Sequence, residues 1–275
     1  MPKSCGDAII KTKRMVLIYP INRSKIMAQI RDGELIGGGD LHSFLMIGQS
    51  NMAGRGDIAD VEPIDNFRCY MLRNGRFIRM REPINTDRPV FGKGFTSGIS
   101  LAASFADEFA NVYKERVGLI PCADGGTGID SWQKGEILYD HAVIMTRLAM
   151  RSSTFSGFLW HQGESDSMTD ESVGAYKAKL IKLIADLRAD IGAGDLPFVM
   201  GELSRNISRD WLDPARIDRM NEIFCEIAEE VPNCAVASSE GLSIKPDGIH
   251  FTAPALRVFG RRYFNEYKKL KGQNL

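Results

Sequence analysis

Four short segments of this chain hold side chains whose types and spacing could do chemistry. Ser50 lies in Gly48-Gln49-Ser50-Asn51-Met52, directly behind an apolar run. A serine at a strand-to-loop turn, with a glycine two residues before it, can project its hydroxyl into a cleft while the following amides face an oxyanion. An ordinary Ser/Asn turn that caps a helix is the plainer alternative. The GxSxG elbow is excluded, because Met52 stands where its second glycine would be. A second segment, Pro121-Cys122-Ala123-Asp124-Gly125-Gly126-Thr127-Gly128, has adjacent glycines that let a free amide approach a developing negative charge. A flexible loop or a phosphate cradle would also use them, although no lysine follows in Walker spacing. Cys122 is a candidate nucleophile or a small packing residue.

The third segment, His161-Gln162-Gly163-Glu164-Ser165-Asp166, places polar groups directly behind another apolar run. It reads as a helix start capped by Ser165 or Asp166, as part of an active site, or as a metal site from His161, Glu164 and Asp166. The metal reading lacks HExxH or a similar helical pairing. The fourth is Asp247-Gly248-Ile249-His250-Phe251-Thr252. An aspartate three residues before a histidine can reach back to Nδ1 and fix the tautomer, which leaves Nε2 free to face a serine. Two unrelated surface residues in a turn would give the same spacing.

These segments need a scaffold that brings them together. From residue 41 onward, short apolar runs alternate with long amphipathic stretches. The runs are residues 44–47, 117–120, 157–160, 198–200 and 235–237. Each is continuous rather than alternating, as for strands covered on both faces of a parallel sheet. Helical stripes follow from Leu101, Phe105, Phe109, Val112 and Tyr113; from Tyr176, Leu180, Leu183, Ile184, Leu187 and Ile191; from Ile217, Met220, Phe224, Ile227 and Val231; and from Leu256, Phe259, Tyr263 and Leu270. Thr252 before Ala253-Pro254 is an N-cap with proline in the first turn. The alternation predicts a three-layer α/β/α sandwich around a central five-stranded parallel sheet. In such sheets ligands bind beyond the carboxyl ends of the strands, where all three strand-following segments would lie.

Composition narrows the function. The 275 residues hold 35 Lys+Arg and 35 Asp+Glu, a formal net charge of zero that supplies no basic surface for nucleic acid or an anionic membrane. The cysteines, Cys5, Cys69, Cys122, Cys225 and Cys234, are odd in number and contain no CxxC pair, so reduced thiols in a cytoplasmic protein are expected. No apolar run approaches the roughly 18–20 residues of a membrane span. Residues 15–19 are too short an apolar stretch for a secretory signal and have no small-residue cleavage site after them. Residues 1–40 read as an N-terminal extension ending in Gly37-Gly38-Gly39, ahead of an enzyme domain over 41–275. A homo-oligomer is compatible with the sequence.

Residues 44–56, 118–132, 159–166 and 247–252, in this order and spacing, resemble the conserved blocks of the SGNH-hydrolase superfamily. Within it they are most similar to the sialate O-acetylesterase-like and acetylxylan-esterase group, carbohydrate esterase family 6. The resemblance implies a flavodoxin-like SGNH fold and a serine esterase that removes O-acetyl groups from carbohydrates through an acetyl-serine intermediate, with no cofactor and no metal. It implies Ser50 as nucleophile, His250 as general base and acid, and Asp247 as the orienting carboxylate. Glu164 is the alternative orienter that the group's third block allows. The amides of Ser50 and Gly126 would line the oxyanion hole. The superfamily's third-block asparagine is missing, and Gln162 is the candidate replacement.

For the sugar, Gln49, Asn51, Arg55 and Trp132 are the candidate contacts, together with Trp160 and the loop at residues 79–89, while residues 91–95 are a loop near the site that bears on an acyl-chain reading. Trp132 could stack on a pyranose or be packed in the core. An SGNH lipase or thioesterase, and a carbohydrate-binding protein with an inactive site, are the competing functions.

Overall fold

The structure is a computed structural model that describes residues 41–85 and 97–272. The expected extension at 1–40 lies outside the described residues, as do residues 86–89 of the candidate sugar loop and the loop at 91–95.

Strand β1 (Leu41–Gly48) runs through the centre of the sheet. Its side chains are buried on both faces. Leu45 and Ile47 enter one core; Phe44 and Met46 enter the other. A run apolar at every position is therefore the expected signature of this strand. Beside it lie β4 (Arg116–Pro121) and β5 (Thr154–His161), both parallel to it. Strands β6 (Phe198–Gly201) and β7 (Cys234–Ala237) extend the sheet beyond β5. All five apolar runs are thus strands of one sheet.

The sheet has seven strands, not five, in the order β3-β2-β4-β1-β5-β6-β7. The additional pair is a hairpin, β2 (Cys69–Arg73) and β3 (Arg76–Arg79), with β2 parallel to β4 and β3 antiparallel at the edge. Its turn is Asn74-Gly75, both at positive φ (50° and 75°), as a two-residue type I′ turn demands. The pair escapes a search for continuous apolar runs because β3 exposes three of its four residues. Asn-Gly between two short strands was the available signal.

Helices cover both faces. On one, α2 (Leu101–Tyr113) packs beside α6 (Ala253–Leu270), with Phe105, Phe109, Phe259, Phe264 and Tyr267 in the core beneath them. On the other lie α3 (Ile137–Ala149), α4 (Asp170–Ile191) and α5 (Pro214–Glu230). Of the expected stripes only Val112 turns outward. Helix α3 adds a stripe through Leu138, Ala142, Val143 and Ala149. Thr252 caps α6 as its sequence requires, its side chain accepting from Ala255 N–H at 3.3 Å. Among the described residues no helix is long and apolar enough to cross a membrane.

Candidate active site

The three strands at the centre of the sheet deliver three of the four segments side by side. At the end of β1 the chain turns at Gly48, with φ of 123°. A Cβ there would lie 2.1 Å from the His161 carbonyl oxygen on β5, so only glycine lets the two strands close up. Gln49 N–H then donates to that same oxygen at 2.9 Å. Ser50 opens α1, a single turn over Ser50–Ala53. As the first residue of the turn its N–H has no intrahelical acceptor, and among the described residues it donates to none.

Ser50 meets a residue 200 positions away: its Oγ is 2.9 Å from His250 Nε2. His250 Nδ1 is 2.8 Å from Asp247 Oδ2. The other oxygen, Oδ1, accepts from the N–H groups of Ile249 and His250, each at 3.0 Å. The carboxylate is thus anchored by its own turn. Burial pushes the Asp247 carboxyl up, but these bonds outweigh it and leave it below the ordinary aspartate value. An ionised Asp247 accepts from Nδ1–H, so Nε2 carries the lone pair and receives the Ser50 hydroxyl proton. Geometrically this is a hydroxyl, a base and an orienter in line.

His250 and Asp247 line a cleft of about 480 Å³ together with Arg55, Asp57, Ser97 and Lys245 among others, and Ser50 lies behind His250. Lys245 Nζ donates to Asp57 at 3.0 Å and to the Arg55 carbonyl at 2.9 Å, which ties the loop after Ser50 to the loop that bears Asp247. Gly126 is exposed at the tip of the loop after β4.

Several sequence candidates are placed differently from expectation. Gln162 is fully buried. Its amide nitrogen faces Gln49 Oε1 (3.0 Å), the Thr127 carbonyl (3.1 Å) and Asp166 Oδ2 (2.5 Å), while its Oε1 accepts from Tyr176 at 2.8 Å. Two amide protons already serve three acceptors, so Gln162 is a knot joining three loops rather than an oxyanion donor. Gln49 and Asn51 are buried as well, at 2% and 1% exposure, with their polar atoms turned inward. Trp132, 1% exposed, sits edge-on to Trp160 and donates to Thr127 Oγ1, so it offers no face to a sugar. Of the four proposed sugar contacts, Arg55 alone lines the cleft.

Glu164 does not hold His250, since Asp247 occupies Nδ1; it is buried against Asn51. Asp166 turns to Ile129 N–H and Gln162 instead of capping a helix, and α4 is capped by Thr169. Among the described residues no group of three or more His, Cys, Asp and Glu converges as a metal site. Cys122 is 2% exposed within the core, which leaves it no access to the cleft. Sequence reading missed Lys245, for which a lone lysine in a turn carried no signal.

A mostly parallel α/β sheet thus brings Ser50, at the end of β1, to the Asp247-x-x-His250 turn ahead of α6. The family model for carbohydrate esterase, sialic acid-specific acetylesterase, matches residues 40–269, and the chain belongs to this family of carboxylic ester hydrolases. It is 28% identical over 231 residues, 77% of this chain and 84% of the other, to a probable carbohydrate esterase of Arabidopsis thaliana. The crystal structure of the Arabidopsis protein superimposes with a TM-score of 0.73 at 26% identity, covering 83% of this chain and 98% of that one. Two further structures share the fold at lower identity. NanS has a TM-score of 0.69 at 15% identity, covering 86% of this chain and 99% of its own. A carbohydrate acetylesterase from Xanthomonas citri has a TM-score of 0.62 at 18%, covering 86% and 57%.

Proposed function

We propose that this enzyme removes O-acetyl groups from carbohydrates by a two-step serine mechanism. The observation that carries the reading is the continuous chain of contacts from Ser50 Oγ through His250 to Asp247, at 2.9 and 2.8 Å. Ser50 Oγ attacks the acetyl carbonyl as His250 Nε2 takes its proton. The tetrahedral oxyanion is held by the N–H groups of Ser50 and Gly126. The C–O bond to the sugar then breaks, and the sugar oxygen leaves with the proton from His250. Water, deprotonated by the same imidazole, attacks the acetyl-serine and releases acetate. Asp247 keeps the imidazolium oriented throughout. Every proton in this cycle passes through His250, so the chemistry requires no metal.

The polar cleft wall favours a hydroxylated leaving group. Arg55 and Lys245 beside His250 supply donors for sugar hydroxyls. Acetylated xylan fragments and O-acetylated sialic acid are the substrate types we propose. Acetate release from each, compared with a simple acetyl ester, tests the reading; binding of either sugar without turnover of any acetyl ester would sink it.

A second hollow favours one other reading, hydrolysis of longer acyl esters. About 370 Å³ in volume, it is lined by Val61, Ile64, Met80 and Ile99, and it shares Ile58 with the cleft. A rate that rises from acetyl to longer acyl esters would select it. The free thiols Cys69, Cys122, Cys225 and Cys234 support a reducing, cytoplasmic setting for the protein.

A further inference from the structure

Behind the cleft lies a second carboxylate–histidine pair that the mechanism above does not use. His161 is fully buried and Glu164 is 1% exposed. His161 Nε2 is 3.5 Å from Glu164 Oε1, and the imidazole is enclosed by Phe251 and Phe259, both edge-on.

The proton count in this pocket is constrained. Tyr263 Oη lies 2.8 Å from the Trp160 carbonyl oxygen, a separation that two oxygens keep only with a proton between them. Tyr263 therefore donates to Trp160 and must accept from His161 Nδ1, 3.1 Å away. Nε2 is then the ring nitrogen that faces the carboxylate. Burial pushes the Glu164 carboxyl up, but the His161 and Asn51 contacts outweigh it and bring it below the ordinary value. Glu164 accordingly stands as a carboxylate, held by Asn51 and facing His161 Nε2.

What this carboxylate holds is Asn51. Asn51 Nδ2 donates to Glu164 Oε1 at 2.6 Å. The same nitrogen reaches the Ile249 carbonyl at 3.4 Å, and Asn51 Oδ1 accepts from Phe251 N–H at 3.1 Å. Asn51 thus grips the backbone on both sides of His250 and is itself the residue after Ser50. With Glu164 accepting from Nδ2, the Asn51 amide cannot flip without facing its oxygen to the carboxylate.

We infer that Glu164 is a positioning residue: through Asn51 it fixes the backbone that carries His250 at hydrogen-bonding reach of Ser50, and His161 holds Glu164 in place. The inference rests on the Ser50–His250 reading of the hydrolysis. It accounts for a glutamate in the third segment without placing it on His250.

The test is steady-state kinetics of the full chain on 4-nitrophenyl acetate for Asn51→Ala, Glu164→Ala and Glu164→Gln, with Ser50→Ala and Asp247→Asn alongside. Loosening the catalytic imidazole by about 1 Å costs on the order of 10²-fold. Asn51→Ala and Glu164→Ala are expected to lose about 10²–10³-fold in kcat, with KM nearly unchanged. Glu164→Gln is expected to recover at least about tenfold of that loss. Its amide oxygen still accepts from Asn51, and its N–H can donate to Nε2 of a neutral His161. In Asn51→Ala and Glu164→Gln the acid limb of the pH profile stays at its wild-type position, because Asp247 still orients His250.

An acid limb displaced in Glu164→Gln as it is in Asp247→Asn would overturn the inference, because Glu164 would then be acting on His250 directly. So would a glutamine variant as inactive as the alanine one, or wild-type kcat in Asn51→Ala. Asn51→Ala removes no charge and decides the matter where Glu164→Ala does not fold. Full activity in Ser50→Ala would instead refute the underlying hydrolase reading, whatever Glu164 does.

Discussion

Asp247–His250 and His161–Glu164 each set a carboxylate and a histidine three residues apart, in opposite order along the chain. One lies in a turn ahead of α6, with side chains 21% (His250) and 32% (Asp247) exposed, and its Nε2 reaches a serine at the cleft. The other follows a central strand and is sealed under aromatic rings. Water distinguishes the two. At the cleft edge the imidazole is reachable from solvent, as the general base proposed above must be. In the core, the carboxylate and the imidazole are closed off from water and held against each other and Asn51, so the inner pair serves as a fixed anchor. Equal spacing therefore suits the proposed proton carrier in one place and a fastening in the other.

Substitutions at the two pairs should separate activity from stability. The largest effect is expected at the cleft. Ser50→Ala or His250→Ala should lower kcat on the order of 10⁶-fold on an acetyl ester, with the thermal transition hardly moved. Asp247→Asn should follow at about 10⁴-fold, since the wrong tautomer then faces Ser50. Its stability cost is expected to be about 1 kcal/mol or less, because the pair is partly solvated.

The inner pair should combine a smaller loss of kcat than the cleft pair with a larger loss of stability. Glu164→Ala leaves a buried imidazole without its partner and should cost about 3–5 kcal/mol by urea titration. A thermal and urea stability equal to wild type would erase the distinction drawn between the pairs. Trp132→Phe, smaller again, should cost about 1–2 kcal/mol for its lost volume and hydrogen bond, with KM for an acetylated sugar unchanged. A raised KM would restore the stacking role that its burial denies.

The smallest effect concerns pH. Asp247 has its folded-state value below the ordinary one, so its contribution to stability is complete above the ordinary aspartate range near 3.8 and is lost as pH falls through the folded value. The slope of the melting temperature with pH below about 4 should therefore be shallower in Asp247→Asn than in wild type. An identical slope would show that the turn holds the carboxylate equally well when it is protonated.

How much was legible beforehand varies with the kind of information involved. The five core strands announce themselves because a strand covered on both faces must be apolar at every position, as Phe44 to Ile47 are. Thr252 and Pro254 mark the start of α6 because capping is a local hydrogen-bond requirement. The hairpin was legible only through Asn74-Gly75, since an edge strand such as β3 is half polar. Gln162 shows the opposite limit. Its amide type suits an oxyanion hole and a buried knot equally, and the choice depends on where Thr127, Gln49 and Asp166 come to rest.

By itself the sequence determined the order of the five apolar strands and of four of the helices, the loops that follow the central strands, and the presence of a serine and an Asp-x-x-His turn. Each follows from local preference or periodic burial, which neighbouring residues settle among themselves. Tertiary structure alone decided which carboxylate meets His250, that Trp132 faces the core, and that Asn51 bridges residues 164, 249 and 251. Those outcomes depend on approach to within about 3 Å between groups separated by 100 to 200 residues, and on how much water remains around them, quantities that no local pattern encodes.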